Sequence, residues 1–276
     1  MSRHEPPVAR ADSTLDAFLG GKLMLLQPKS GYRAGLDAVL LAATVPVAAG
    51  ATIVDLGSGV GTVGLSAVRR VAGLRAVLVE REAVLAAYAR DNITHNQLTV
   101  RIDIVVADIE AEAAVDLDAV GLAAGRFDHA VANPPFQTEG DGRAPPDPLK
   151  AVSHVMPAGG VDRWARAMAR LVKPGGTATM IHRADALPEM LDAFAGRFGA
   201  VTVLPVHPRP GVLAGRVIVA GRKGSRAPFR LLPGLCVHGE DGHGFTPMLE
   251  AVLRHGAGLD LWAVGAPLLV RADGAT

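Results

Sequence analysis

A single cysteine, Cys236, in 276 residues leaves no partner for an internal disulfide and no thiolate cluster for a metal. Such a chain suits a reducing cytoplasm, and Cys236 itself reads as a small buried hydrophobe. Net charge is equally scarce. The balance of 28 Lys and Arg against 27 Asp and Glu is +1, so an anionic partner must be met by local basic patches. Every apolar run is broken by Gly, Pro or charge well before the ~18 residues of a membrane span. The opening Met1-Ser-Arg-His-Glu-Pro-Pro7 carries no apolar signal region, which argues against export. His154, His182, His207, His238 and His243 have no metal-ligand spacing and read as structural or surface groups, so no metal is expected. What is present suffices for a folded core: 49% hydrophobic and 20% charged residues, in a length that suits one large or two small domains.

Residues 1 to about 14 are polar, with two prolines, and read as a loose tail. Lys22–Gln27 reads as a strand, Gln27–Arg33 as a turn and Leu36–Ala43 as a helix, whose Asp37 suits the positive end of the helix dipole. From Ala51 strands and helices alternate, which predicts an α/β, doubly wound parallel sheet covered on both faces. The strands are expected at Thr52–Leu56, Ala76–Glu80, Ile102–Ala107, His129–Ala132, Thr177–His182, Val201–Pro205 and Arg216–Ala220. The helices between them are expected at Val63–Val71, Ala83–Asn96, Val161–Val172 and Ala186–Arg197. Lys173-Pro-Gly-Gly176 reads as a helix stop before a strand. Residues 137–157 lack periodicity and form a long loop of the kind often used functionally. Phe229–His238 reads as a strand or hairpin arm, and Phe245–Arg254 as a helix with Thr246 at the N-cap and Pro247 at the first helical position. Trp164 and Trp262 are expected in the core or at its edge.

Two stretches carry the chemistry. Val54-Asp-Leu-Gly-Ser-Gly-Val-Gly-Thr-Val-Gly64 ends a strand in glycines and resumes as a helix, so backbone can approach a nucleotide-like ligand closely. Gly59-Val-Gly-Thr-Val-Gly64 also satisfies the dinucleotide-binding pattern, so a nicotinamide-dependent oxidoreductase is a rival reading. Asp55 shifts the balance: it suits a cationic amino group, which S-adenosylmethionine has, whereas a dinucleotide pyrophosphate is anionic. Glu80 ends the second strand, where a carboxylate accepts both ribose hydroxyls; Arg81 follows it. Asp108 after the third strand suits an adenine amino group, with Ile109 supplying its N–H and an apolar wall. Asp55, Glu80 and Asp108 thus fall at three successive strand ends, where open parallel sheets bind ligands. The second stretch, Asn133-Pro-Pro-Phe136, follows the fourth strand. The Asn133 side-chain oxygen and the Pro134 carbonyl each suit one hydrogen of an amine conjugated to a ring. Pro134 and Pro135 fix the backbone, and Phe136 stacks on a flat base, a contact worth ~1–3 kcal/mol. A nicotinamide enzyme leaves this stretch without a role, and a non-catalytic RNA-binding module does not need the pair of motifs.

Gln27-Pro, Gly31-Tyr-Arg33, Asp37-Ala-Val-Leu-Leu41, the glycine turn, Asn133-Pro-Pro-Phe136, Lys173-Pro-Gly-Gly176 and the basic turn with its Leu-rich arm fall in one order. Taken together, the chain from about Thr14 resembles the bacterial tRNA (valine) adenine-N6 methyltransferases, within the class I S-adenosylmethionine-dependent methyltransferases. The resemblance implies a Rossmann-like, mostly parallel seven-stranded sheet with an antiparallel last strand. It implies S-adenosylmethionine held by Asp55, Gly57, Ser58, Gly59, Gly61, Glu80, Arg81, Asp108, Ile109 and Asn133, with Tyr32, Arg33 and Asp37 lying over it. It divides the chain into a tail and cofactor-covering segment, 1–46, and a catalytic domain, 47–276. Its implied activity is methylation of the N6 amine of an adenine beside the anticodon of a tRNA. N2-methylation of rRNA guanine and methylation of a protein glutamine share Asn-Pro-Pro and remain alternatives. Arg222, Lys223, Arg226 and Arg230 form a basic cluster, with Arg143 and Lys150 in the long loop. These are candidate phosphate contacts, Phe136 being the candidate for the base.

Overall fold

The computed structural model describes residues 12–30, 33–46, 48, 50–110, 118, 120–138, 155–156, 160–263 and 268–270. A hairpin of β1 (Ser13–Phe18) and β2 (Leu23–Pro28) leads to α1 (Leu36–Ala43). Then come β3 (Thr52–Leu56), α2 (Thr62–Arg70), β4 (Arg75–Glu80), α3 (Ala83–His95), β5 (Ile102–Val106) and β6 (Phe127–Ala132). A short pair, β7 (Gln137–Thr138) and β8 (Val155–Met156), precedes α4 (Gly160–Leu171) and β9 (Val172–Arg183). α5 (Leu187–Phe194), β10 (Phe198–His207) and β11 (Arg216–Lys223) complete the alternation. The remainder holds β12 (Arg230–Leu231), β13 (Leu235–Cys236), α6 (Pro247–Glu250) with a wider turn at Ala251–His255, and the pair β14 (Gly258–Leu259) and β15 (Leu269–Val270).

The main sheet runs β12-β10-β11-β9-β6-β3-β4-β5, with β13 also on β10. β9, β6, β3, β4 and β5 are parallel, while β11 is antiparallel to both its neighbours, β9 and β10. The seven expected strands are therefore all there, the last of them reversed. Strand alternation sends Ile53 and Leu78 to one core with Leu40, Leu41 and Leu65. It sends Val54, Leu56 and Val79 to the other, with Trp164, Met168 and Phe194. Both faces are covered, as near-continuous apolar parallel strands require. No helix among the described residues is long and apolar enough to cross a membrane.

Two sequence expectations are corrected. In the arm over 229–238 the strand alternative holds and the hairpin does not: β12 and β13 each add to β10 in parallel, because the chain returns alongside an open sheet edge. Lys173-Pro-Gly-Gly176 does not precede the strand but lies within β9. The register against β6 slips there, from Phe127 opposite Val172 to His129 opposite Thr177. A Cβ on Gly176 would sit 2.8 Å from the Asp128 carbonyl oxygen, the close backbone approach that a bulge glycine permits. At the C-terminal helix the expectation holds: Thr246 caps it with Pro247 at its first position.

The hairpin is fastened to α3 by two asparagines one turn apart. Asn96 Oδ1 accepts from the Met24 N–H (3.0 Å) and its Nδ2 donates to Met24 O (2.7 Å). Asn92 repeats the pattern at Leu26 (2.7 and 3.0 Å) and also donates to Val60 O in the glycine turn (3.0 Å). Leu26, Val60, Leu85 and Tyr88 pack together beneath this joint.

Candidate active site

The site lies at the carboxyl ends of β3, β4, β5 and β6. After Leu56 the chain turns through Gly57, Gly59 and Gly61, all at positive φ. Gly57 has a second reason to lack a side chain: an added Cβ would lie 2.4 Å from the Trp164 ring of α4. The Ser58 N–H donates to Val79 O (3.0 Å), tying the turn to β4. From β4, Glu80 reaches back under the turn. Its Oε2 accepts from the Gly59 N–H (2.7 Å) and its Oε1 from the Glu82 N–H (2.9 Å). Burial pushes its pKa up, against the pull of those two donors.

Gly57, Gly59, Glu80, Arg81, Asp108, Ile109, Asn133 and Pro135 line one cavity, so most of the expected set is brought together. Trp164 and Glu110 also line it, with Val79, Glu82, Leu85 and Ala107, and were not expected there. Glu110 sits two residues past Asp108, whose Oδ1 accepts its N–H (2.8 Å), and Trp164 faces the turn across a helix absent from both motifs. Glu110's carboxyl is raised in pKa chiefly by burial and lies near Arg81 (3.5 Å). Asp55, Ser58 and Gly61 do not line the cavity. Asp55 is buried behind the turn, where its Oδ2 accepts from the Gly64 N–H (2.9 Å) at the start of α2. Burial pushes its pKa up to about 7.

At the other wall, Asn133 Oδ1 is buried and has no hydrogen-bond partner among the described residues. Pro134 is buried and does not line the cavity. The Pro135 carbonyl is taken by His182 Nε2 (3.2 Å), and the His182 ring meets Phe136 edge-on at 5.1 Å. His182 itself is held below its ordinary pKa by burial. The Arg216 guanidinium covers Phe136 at 4.7 Å and is anchored by Asp37 Oδ2 (2.9 Å). Asp37 therefore reaches the Asn-Pro-Pro-Phe stretch through Arg216 and not the cavity wall. Arg33 belongs to the hairpin, paired with Asp16 (2.7 Å). Tyr32, Arg143 and Lys150 lie outside the described residues.

The basic cluster is placed elsewhere. β11 starts beside the site, with Arg216 opposite Arg183, and runs away from it until Arg222 stands opposite Thr177. At ~3.4 Å per residue, Arg222 lies about 20 Å down the sheet from Arg216, and past Lys223 the chain turns back along β10, where the Ala200 N–H donates to Ala227 O (3.0 Å). Lys223 is spent on the end of α4, donating to Ala169 O (2.6 Å) and Val172 O (2.8 Å). Arg230 is spent on the carbonyls of Leu261 (2.5 Å) and Trp262 (3.3 Å). Arg222 lies over the Trp262 ring and donates to Gly175 O. The antiparallel direction of β11 is the physical reason these residues leave the site.

A sheet of this order with a glycine turn, an acid at the second strand end and Asn-Pro-Pro-Phe at the fourth defines a class I methyltransferase. The methyltransferase small domain model matches residues 33–145, which span the turn, Glu80, Asp108 and Asn133. A Phocaeicola vulgatus relative named tRNA1(Val) (adenine(37)-N6)-methyltransferase is 30% identical over 195 residues, 70% of this chain and 77% of the relative. A Bacteroides fragilis relative of the same name is 27% identical over 164 residues, covering 59% of this chain and 65% of the relative. The match thus spans just under two thirds of that second protein. Among solved structures, a predicted O-methyltransferase from Agrobacterium tumefaciens is 29% identical with a TM-score of 0.66, covering 78% of this chain and 94% of that one. The chain belongs to the methyltransferase family of these tRNA1(Val) (adenine(37)-N6)-methyltransferase relatives, and its cofactor is S-adenosylmethionine. The cavity fits that group: among its carboxyl groups, Glu80 and Asp108 keep lone pairs beyond those the backbone uses, and the glycine turn leaves room for close approach.

Proposed function

We infer that the chain methylates the exocyclic N6 amine of an adenine in tRNA, beside the anticodon. The observation that carries this reading is Asn133 Oδ1, a buried acceptor with no partner among the described residues, in the wall of the cofactor cavity. A buried polar group without a partner costs ~1–3 kcal/mol, and an amine hydrogen from a substrate removes that cost. The bound cofactor supplies a methyl group on a sulfonium. The substrate nitrogen would take that methyl through its lone pair and then release a proton to water.

The chain's own part is orientation. A ring-conjugated amine is a poor nucleophile because its lone pair is delocalised. Hydrogen bonds from its two hydrogens to Asn133 Oδ1 and the Pro134 carbonyl favour a pyramidal nitrogen with the lone pair free. Phe136, fixed at its edge by His182 and on a face by Arg216, stacks the base. Holding the partners in line contributes up to ~7–11 kcal/mol in well-oriented systems. Residues up to 46 are assigned to covering the cofactor, a role supported by the joint between Asn92, Leu26 and Val60. The names of the two bacterial relatives support adenine in tRNA as substrate, and a cytoplasmic setting suits that RNA. Labelled S-adenosylmethionine incubated separately with bulk tRNA, rRNA and release factor, followed by digestion, tests the reading. N6-methyladenosine from the tRNA sample is expected. Label in guanine N2 or in glutamine, with none in tRNA adenine, overturns it.

A further inference from the structure

At the end of the sheet that carries Asn133, Arg183 and Arg216 stand directly opposite each other on adjacent antiparallel strands. Like charges in that arrangement destabilise a ladder, and each is restrained by its own aspartate, Arg183 by Asp185 and Arg216 by Asp37. Both guanidinium groups remain open to solvent, at 44% and 35% side-chain exposure. Arg216 uses Nε on Asp37 and Nη1 on the Gly215 carbonyl (3.0 Å). Its Nη2 has no hydrogen-bond partner among the described residues, and its plane lies over Phe136. A nucleotide whose base lies on Phe136 carries its phosphate one sugar away, and planar guanidinium forks match phosphate oxygens.

We propose that Arg183 and Arg216 are the phosphate-binding pair of the substrate site, gripping the target strand beside the base that Phe136 stacks. This rests on the RNA reading above and replaces the cluster at Arg222 as the electrostatic contact. The test is tRNA affinity by fluorescence anisotropy across a KCl series, with the full chain and its R183M, R216M and R222M variants. R183M and R216M are each expected to reduce the slope of log affinity against log salt by about one. R222M is expected to keep the wild-type slope, and R216K to keep it too. S-adenosylmethionine affinity, read by calorimetry, is expected to be unchanged in all four. The double variant D37N/R216M removes both members of the ion pair. It is expected to show the R216M slope, so loss of fold through a stranded Asp37 is told apart from loss of a phosphate contact. A wild-type slope retained by R183M, R216M and the double variant overturns the pair alone. A wild-type chain with no salt-dependent tRNA affinity overturns the RNA reading and the pair with it.

Discussion

Asn133→Ala separates chemistry from folding in one variant. In the structure Asn133 Oδ1 is buried without a partner among the described residues, so truncation removes a native-state penalty of ~1–3 kcal/mol. Against this stands the small void left by three heavy atoms beside Pro135. The two terms oppose, and the midpoint of thermal unfolding is expected to stay within a few degrees of wild type or rise. Turnover behaves differently, because the acceptor matters only once an amine is presented. Loss of one preorganised polar contact costs ~10²–10³ in kcat, about 2.7–4 kcal/mol. The other wall of the cavity, at Glu80, Asp108 and Ile109, is untouched, so calorimetric S-adenosylmethionine affinity is expected to change less than threefold. The assay pair is single-turnover methylation of tRNA and differential scanning calorimetry of the same sample. Turnover within threefold of wild type removes Asn133 from the mechanism. A cofactor affinity that falls in step with turnover refutes the division of labour.

Gly57→Ala must adopt φ +64 and place a methyl 2.4 Å from the Trp164 ring. A cost of ~1–2 kcal/mol for the left-handed backbone plus ~1–3 kcal/mol of overpacking is expected in urea unfolding, with cofactor affinity lost alongside. Lys223→Met strips the end of α4 of its cation and leaves two carbonyls unmet, so stability falls by ~1–2 kcal/mol while tRNA affinity stays at the wild-type value. His129 is half-buried, its Nδ1 2.6 Å from Thr177 Oγ1, and burial pushes its pKa down to about 4 from 6.5. The folded pKa is the lower one, so this contribution is present above pH 6.5 and is lost as pH falls toward 4. Linkage gives ~2 kcal/mol lost by pH 5, and His129→Gln, which cannot titrate, is expected to flatten the difference in urea unfolding between pH 7.5 and 5.

The elements that line the cavity were legible because their signals are local. The apolar run Thr52–Leu56 has glycines at its end, and Asn133 follows a strand, so local sequence alone places both. Asp55 shows the limit of that logic. Its position at a strand end is correct, but whether its side chain faces the cavity or the start of α2 depends on the pleat and on the Gly64 N–H. Trp164 and Glu110 carry no motif and meet the cavity only through packing across the sheet. The distance of the basic cluster from the cavity has a topological reason. Charge pattern shows that Arg222, Lys223, Arg226 and Arg230 are neighbours in sequence, but the reversal of β11 decides at which end of the sheet they emerge. The antiparallel last strand that the resemblance implies carries Arg222 away from the cavity end of the sheet and leaves Arg216 over Phe136.

The two asparagines of α3 have a consequence for solubility. A strand edge with free N–H and C=O groups is a template on which another chain can grow. At Met24 and Leu26 that template is closed by amide side chains, which imitate the backbone of a neighbouring strand without offering a further edge. Removing Asn92 would reopen it, so such a variant is more prone to self-association than its loss of hydrogen bonds alone suggests.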